Sequence, residues 1–174
     1  MAYASLERFR DITGRNVLAL QQAKEAGKKV VGQYCIYSPL EIALAAGAIP
    51  VSLCGTKNDS IPVAETMLPR SLCPLIKSSF GFALQDSCPY LAASDIVVAD
   101  TTCDGKKKMY ELLAAYKPVV LLQLPQIQDG DAKDYWRQAR REAGKGFRRF
   151  HHHGRSAECR PADQPAPPSP QGCP

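Results

Sequence analysis

Cysteine is the residue type in this sequence that is best suited to chemistry. The first 140 residues hold five cysteines and no histidine, whereas the three histidines stand together at 151–153. Histidine is the usual general base, triad partner and imidazole metal ligand. Chemistry beyond acid–base catalysis by carboxylates or lysines would therefore depend on thiolates. The five cysteines are Cys35, Cys54, Cys73, Cys88 and Cys103.

Three of these cysteines are predicted just before a helix. Cys35 ends a predicted strand, Cys73 lies at or next to a helix N-cap, and Cys103 lies between a strand and its helix. In an open α/β sheet such junctions meet at the C-terminal edge, where ligands bind and where helix N-termini stabilise anionic sulfur. We interpret Cys54 and Cys88 as packing residues, because free cysteine is often buried. Cys54, as the last residue of a strand, could also reach that edge.

The spacing of the cysteines bears on which metal they would bind. Structural zinc sites usually contain paired ligands such as C-x₂-C, and the first 140 residues contain no such pair. Single, widely spaced cysteines gathered at a sheet edge fit an iron–sulfur cluster better, since thiolates favour iron–sulfur chemistry and proline often follows a ligating cysteine. Two alternatives stay open: a small cysteine-ligated zinc or electron-carrier protein, and a folded domain whose cysteines hold nothing.

The elements that must position these cysteines alternate along the chain. Buried apolar runs predict strands at 29–35, 48–54, 94–100 and 118–124. Helices are predicted at 4–26, 61–68, 73–82 and 106–116, with another starting at 131. A further short helix, ending at Gly47, is predicted after a capping box formed by Ser38-Pro39-Leu40-Glu41. This alternation predicts an α/β fold with an open, mostly parallel, doubly wound (Rossmann-like) sheet.

Composition divides the chain into two parts. Residues 1–140 are predicted to form one α/β domain with 16 Lys and Arg against 14 Asp and Glu. Residues 141–174 carry 6 against 3 and hold 6 of the 14 prolines, which predicts a basic, proline-rich, disordered tail. We interpret the abrupt change as a possible loss of the reading frame; a natural disordered tail and an interaction arm are the alternatives.

Charge and hydropathy narrow the function classes. The nearly neutral body offers no broad phosphate-binding face, so nucleic acid is not an expected partner. No apolar run reaches the length of a membrane span, and the first residues lack a signal-peptide core. We therefore expect a cytoplasmic protein with reduced thiols and no membrane partner.

Several separated motifs of the sequence look familiar. They are YC (34–35), PLE (39–41), AAGA (45–48), LPRSLCPLIKSS (68–79) and TTCDGKKK (101–108). They resemble the 2-hydroxyacyl-CoA dehydratase component D family, and within it the branch that contains the double-cubane-cluster reductases. The resemblance extends over roughly residues 3 to 140. It assigns the motif cysteines to Cys35, Cys73 and Cys103.

The resemblance implies an oxygen-sensitive iron–sulfur protein that carries a 4Fe–4S or a double-cubane 8Fe–9S cluster on those three cysteines. It implies low-potential one-electron reduction, with the electron supplied by an ATP-hydrolysing activator iron–sulfur protein. In the dehydratases a ketyl radical of an (R)-2-hydroxyacyl-CoA loses water; in the double-cubane branch small molecules are reduced. It also implies a homo- or heterodimeric partner, an acyl-CoA or other small-molecule substrate, and lyase or reductase activity. The catalytic residues are not predicted.

Two further expectations follow from the resemblance. Family members are much longer and have a second α/β domain that helps to enclose the site, so we expect this shortened chain to have impaired activity. Lys106, Lys107 and Lys108 could contact CoA phosphates or an acidic partner, but a solvated helix face is the simpler interpretation.

Overall fold

The fold is that of a computed structural model, which describes residues 2–35, 37–124 and 132–152. Strands and helices alternate in these ranges, except that three helices follow one another between the second and the third strand. The strands are β1 Val30–Tyr34, β2 Ile49–Leu53, β3 Ile96–Asp100 and β4 Val119–Leu122. The helices are α1 Ala2–Glu25, α2 Leu40–Ala45, α3 Ile61–Ala64, α4 Pro74–Gln85, α5 Pro89–Ala93, α6 Asp104–Leu113 and α7 Ala132–His152.

The four strands form one parallel sheet in the order β2-β1-β3-β4. Tyr34 at the end of β1 pairs with Leu53 of β2 and with Ala99 of β3, so the C-terminal ends of these strands lie side by side. Because β2 lies on one side of β1 and β3 on the other, the strand order reverses between β1 and β3. Ligands of open α/β sheets bind at such a switch point. The predicted α/β class with an open parallel sheet is confirmed.

Helices cover both faces of the sheet, each over its own apolar cluster. One cluster packs α3, α4 and α6 against the sheet through side chains that include Tyr34, Phe80 and Tyr110. The other packs α2 and α7 against the opposite face through side chains that include Val98 and Ala139. The apolar runs of the central strands β1 and β3 are explained by burial on both faces, whereas the edge strands β2 and β4 are only partly buried. The doubly wound arrangement therefore fixes which strand ends meet.

Two glycines end helices as the sequence predicts. Gly27 follows α1 with φ +81°, and Gly47 follows α2 with φ +71°. Both lie in the left-handed region, which costs glycine little and other residues more. The chain can then turn directly into β1 and β2, and this sets where each strand begins.

Two local predictions are wrong. Ser38 does not cap α2; Pro39 is the N-cap residue, and the buried Ser38 Oγ donates to the Val98 carbonyl over 3.4 Å. A hydroxyl that is buried against a strand forms its hydrogen bond with that strand and does not cap the helix. The helix predicted at 61–68 ends at Ala64. Cys88 precedes α5 as its N-cap residue.

The predicted domain boundary at 140/141 falls inside α7, which continues to His152. The predicted tail from 153 onward lies outside the described residues, so the division into a 1–140 domain and a 141–174 tail stays a prediction. Among the helices that the structure describes, none combines the length and the apolar character needed to cross a membrane.

Candidate functional site

The candidate site lies at the C-terminal edge of the sheet, beside the switch point. Cys35 directly follows β1 with φ +71°, a left-handed conformation that is uncommon for a residue other than glycine. Such backbone strain is concentrated at functional sites. The residue is half-buried. Its sulfur is thus held by a constrained turn next to the point where ligands of this fold bind.

Cys73 and Cys103 occupy equivalent positions on two neighbouring helices. Cys73 is the N-cap of α4, with proline at the first helical position, and Cys103 is the N-cap of α6. Both cysteines are exposed, and neither side chain makes a capping hydrogen bond. Both thiols therefore stand at the positive end of a helix dipole, where anionic sulfur is stabilised.

The N-terminal ends of α4 and α6 lie against each other. A Cβ atom at Gly105 would come within 2.7 Å of Leu72 Cδ1 and 3.1 Å of Ile76 Cδ1. Leu72 is adjacent to Cys73, and Gly105 is two residues beyond Cys103. Absence of a side chain at Gly105 thus allows the two cysteine-bearing segments to approach closely.

Lys106 connects Cys35 to the first turn of α6. Its ammonium donates to Cys35 Sγ and, over 3.4 Å, to Thr102 Oγ1. The same nitrogen lies 4.0 Å from Asp100 Oδ1. Burial alone would lower the pKa of Lys106, but the hydrogen bond to Cys35 and the charges of Cys35, Asp100 and Cys103 together raise it. Lys106 therefore stays charged next to the sulfur.

Asp100 anchors this arrangement from the end of β3. Its side chain is 0% exposed, and its Oδ1 accepts hydrogen bonds from Thr102 N at 3.3 Å and Thr102 Oγ1 at 2.6 Å. These bonds form a local turn that leads into Cys103. Its other oxygen, Oδ2, is buried and has no hydrogen-bond partner in the part of the chain that the structure describes. Burial of an anion is costly without compensation, so the nearby Lys106 ammonium is its principal counter-charge.

A cavity of about 310 Å³ opens next to Cys35. Cys35, Cys54, Lys106 and Tyr110 contribute to its wall. Apolar side chains supply much of the rest, namely Leu53, Leu75, Ile76 and Met109. This volume is at the small end of the range for ligand pockets. Cys54 is exposed here, so its interpretation as a packing residue is wrong: it terminates β2 at the same edge at which Cys35 terminates β1.

The other sequence-predicted residues are divided between the core and the surface. Cys88 is half-buried and packs against the larger apolar cluster, as predicted. Lys107 pairs with Asp104 at 3.0 Å, and Lys108 pairs with Glu111 at 2.6 Å, both on the surface of α6. Of the three consecutive lysines, Lys106 is the one whose side chain donates to a cysteine sulfur in the described structure.

The donor set can be tested against the two metal centres considered. No three His, Cys, Asp or Glu side chains of the described residues are close enough to hold one metal ion, which a structural zinc site requires. In an iron–sulfur cluster each cysteine binds a different iron, so the sulfurs need not converge on one point. The exposed Cys73 and Cys103 and the half-buried Cys35, which contacts the Lys106 ammonium, are donors of the kind that such an anionic cluster uses.

Comparison with known proteins agrees with this geometry. The model of the family "2-hydroxyglutaryl-CoA dehydratase, D-component" matches residues 35–152, a range that begins at Cys35 and includes Cys73 and Cys103. The chain belongs to this family. The resemblance inferred from the motifs is thereby confirmed at the level of the dehydratase D-component family.

Three curated relatives illustrate the membership. The chain is 49% identical over 135 residues to "Putative dehydratase subunit YjiM" of Escherichia coli (strain K12), covering 77% of this chain and 35% of that protein. It is 29% identical over 124 residues to "Lactoyl-CoA dehydratase subunit beta" of Anaerotignum propionicum, covering 71% and 32%. It is 25% identical over 133 residues to "(R)-2-hydroxyglutaryl-CoA dehydratase, subunit beta" of Acidaminococcus fermentans, covering 74% and 34%. The chain thus spans about a third of the length of the curated relatives that it matches.

Sequence reasoning selected the three junction cysteines but missed their neighbours. Asp100 and Tyr110 were not predicted as site residues, and Lys106 was considered only as a contact to CoA phosphates or an acidic partner, not as a neighbour of Cys35. A signal for two of them was present: Asp100 ends a strand immediately before Cys103, and Lys106 lies in the first turn of the following helix. Nothing local indicated Tyr110, whose place in the cavity depends on how α6 packs on β1.

Proposed function

We propose that this chain is the iron–sulfur-binding part of a 2-hydroxyacyl-CoA dehydratase or a related double-cubane reductase. The observation that carries the proposal is the contact of the Lys106 ammonium with Cys35 directly after β1, together with the positions of Cys73 and Cys103 at the N-caps of α4 and α6. When bound, the cluster would supply low-potential one-electron transfer. Membership in the dehydratase D-component family supports the same chemistry.

In this proposal each protein group has a defined task. Cys35, Cys73 and Cys103 hold the cluster through their thiolates. The N-termini of α4 and α6 direct positive dipole ends toward it and so offset its negative charge. Lys106 adds a full positive charge, and the buried Asp100 keeps that charge in place.

The cavity next to Cys35 is the proposed position for a small substrate. Its apolar walls, formed in part by Leu75 and Ile76, would exclude water from an acyl group or another small molecule. Exclusion of water strengthens each electrostatic interaction within the site and protects a reactive intermediate. Lys106, at the boundary of the cavity, would orient a polar group of that molecule.

The partners are proposed from the names of the relatives. Two of the relatives are named as beta subunits of acyl-CoA dehydratases. We therefore propose that a second subunit completes the site of this chain, that the substrate is an acyl-CoA or another small molecule, and that an ATP-hydrolysing activator supplies the electron. Because the chain covers about a third of these relatives, cluster binding, rather than turnover, is the property to test on it.

Anaerobic reconstitution with iron and sulfide tests the proposal. The chain should gain broad visible absorption and bind iron and sulfide, in equal amounts for a 4Fe–4S cluster and with a slight excess of sulfide for an 8Fe–9S double cubane. Serine at Cys35, Cys73 or Cys103 should abolish this uptake. Serine at Cys54 or Cys88 is the matched control and should leave uptake intact. Loss of uptake in the controls but not in the three variants would overturn the assignment.

The two alternatives predict different results in the same experiment. A domain with unoccupied cysteines would take up no iron or sulfide, and all five of the named thiols would react with a thiol reagent. A small zinc protein would retain zinc through aerobic purification and lose it to a chelator. Either result would contradict the proposal.

A further inference from the structure

The hydroxyl of Tyr110 is a buried donor without a hydrogen-bond partner among the described residues. Tyr110 lies on α6, and its side chain is 1% exposed. Its hydroxyl makes no hydrogen bond to any residue that the structure describes. An unsatisfied buried polar group costs free energy, and such groups are uncommon in folded proteins. The exception therefore requires an explanation.

The surroundings of Tyr110 belong to the candidate site. Tyr110 contributes to the wall of the cavity beside Cys35, and its ring packs on Tyr34 with a centroid distance of 5.8 Å. Burial raises its pKa, and the charges of Cys35, Asp100, Tyr34 and Cys103 raise it further. The phenol therefore stays protonated, close to two of the proposed cluster ligands, and is able to donate a hydrogen bond.

The position of Tyr110 on α6 matches that of Lys106. The two residues are four positions apart, so their side chains leave the same side of the helix. Lys106 already donates to Cys35 Sγ. One side of α6 thus carries two donors, of which Lys106 has a sulfur partner and Tyr110 has no partner among the residues that the structure describes.

We propose that the Tyr110 hydroxyl donates a hydrogen bond to a sulfur atom of the bound cluster and thereby sets its reduction potential. The proposal rests on the proposed function, because it requires a cluster at Cys35 and Cys103. The acceptor is anionic sulfur, either a cluster sulfide or a ligating thiolate. Tyr110 acts as a positioning and tuning residue and takes no part in proton transfer.

The direction of the effect follows from electrostatics. Reduction adds one negative charge to the cluster, and a hydrogen bond to sulfur stabilises the more negative state. Removal of the hydroxyl should therefore lower the reduction potential. In the cluster-free chain the hydroxyl has no acceptor among the described residues, so its removal should leave stability unchanged or increased.

Tyr110→Phe tests both halves of the proposal. In the cluster-free chain, Tyr110→Phe should melt at the wild-type temperature or higher. After reconstitution without any acyl-CoA, its midpoint potential in an EPR-monitored titration should be lower than that of the wild type. Tyr116→Phe is the matched control: it removes a hydroxyl from a half-buried tyrosine just beyond α6, whose ring packs on Phe80. It should not change the potential.

The outcomes separate this inference from the proposed function. If the wild-type chain takes up no iron and sulfide, the proposed function fails. If the wild type loads and Tyr110→Phe has the same potential, the inference fails and the proposed function stands. A Tyr110→Phe chain that melts lower without cluster, or does not fold, would show that the hydroxyl has a partner within the protein and would overturn the inference. A difference that requires an added acyl-thioester would identify the substrate carbonyl as the acceptor and would overturn it as well.

Discussion

The ammonium of Lys106 contacts the sulfur of Cys35, although 71 residues separate them along the chain. The contact joins the residue that follows β1 to the first turn of α6, the helix that follows β3. It therefore spans the switch point between β1 and β3. Asp100 lies behind it, fully buried, with one carboxylate oxygen 4.0 Å from the same ammonium. A cation is thus held between a buried carboxylate and the thiol proposed to bind the cluster.

Lys106→Met should weaken both the fold and the site. Loss of the cation leaves the buried Asp100 carboxylate without its counter-charge, so we expect the free energy of unfolding to fall by about 1–3 kcal/mol. The reconstituted cluster should also have a lower potential, because a nearby positive charge favours the reduced state. Urea denaturation of the cluster-free chain and a redox titration of the loaded chain measure the two effects.

Two comparisons test this explanation. Lys106→Arg retains the charge and should retain most of both properties. Lys108→Met removes a lysine whose partner, Glu111, is on the exposed face of α6, and should change stability by less than about 1 kcal/mol. Asp100→Asn combined with Lys106→Met should cost less than the sum of the single changes, because the two groups interact. Strict additivity would show that the two residues are not coupled.

The sequence predicted the strands and helices that position the site better than the side-chain contacts within it. Four apolar runs bounded by turn residues predicted all four strands, and strand ends and helix starts predicted where Cys35, Cys73 and Cys103 lie. These features depend on local pattern and on the rule that parallel strands end at one edge. The use of the three cysteines as ligands stays a prediction.

The contacts within the site depend on packing that local pattern does not encode. Lys106 is one of three consecutive lysines, and only the packing of α6 on β1 distinguishes it from Lys107 and Lys108. Ser38 has the sequence of a helix cap, but its burial against Val98 gives its hydroxyl another acceptor. Polar side chains such as those of Lys106 and Ser38 form hydrogen bonds with the partner that the tertiary structure brings near.

Glu65 should make stability depend on pH in the acid range. A hydrogen bond from Lys77 at 2.7 Å lowers the pKa of Glu65, partial burial opposes this, and the charges of Lys77 and Arg70 add to the lowering. The folded pKa is then below the unfolded value of about 4.3. The stabilisation is present above that value and is lost as pH falls through the folded pKa. Urea midpoints measured from neutral pH to about pH 3 would record the loss.

Glu65→Gln isolates this contribution. The variant should be less stable than the wild type at neutral pH, and the difference should shrink as pH falls below the ordinary glutamate pKa. Glu111→Gln is the control, because its partner Lys108 is exposed and the pair contributes little. A Glu65→Gln difference that does not change with pH would contradict the assignment.

Gly105→Ala should disturb the site more than the fold. The new methyl group would lie 2.7 Å from Leu72 Cδ1, the flexible end of a side chain, so we expect a stability loss of only about 1 kcal/mol. Displacement of Leu72 would nevertheless move the neighbouring Cys73 relative to Cys103. Iron and sulfide uptake should therefore fall more than thermal stability does. Unchanged uptake would show that the approach of α4 to α6 is not required.

Gly81→Ala should be strongly destabilising, because the backbone of another segment occupies the space that its Cβ would need. A Cβ atom at Gly81 would lie 2.0 Å from the Ser60 carbonyl oxygen. Ser60 cannot easily move away, since its side chain is buried and donates to the Ser78 carbonyl at 3.1 Å. The methyl group should force α4 away from Ser60 and lower the free energy of unfolding by about 3 kcal/mol or more. Urea denaturation measures this loss.

Gly14→Ala is the opposite case and serves as its control. Gly14 lies within α1, and a Cβ atom there would have no neighbour within 4 Å. Alanine has the higher helix propensity, so this substitution should stabilise the chain by up to about 1 kcal/mol. The pair of variants thus makes the same chemical change with opposite expected signs. Equal effects at both positions would contradict the close packing of α4 against Ser60.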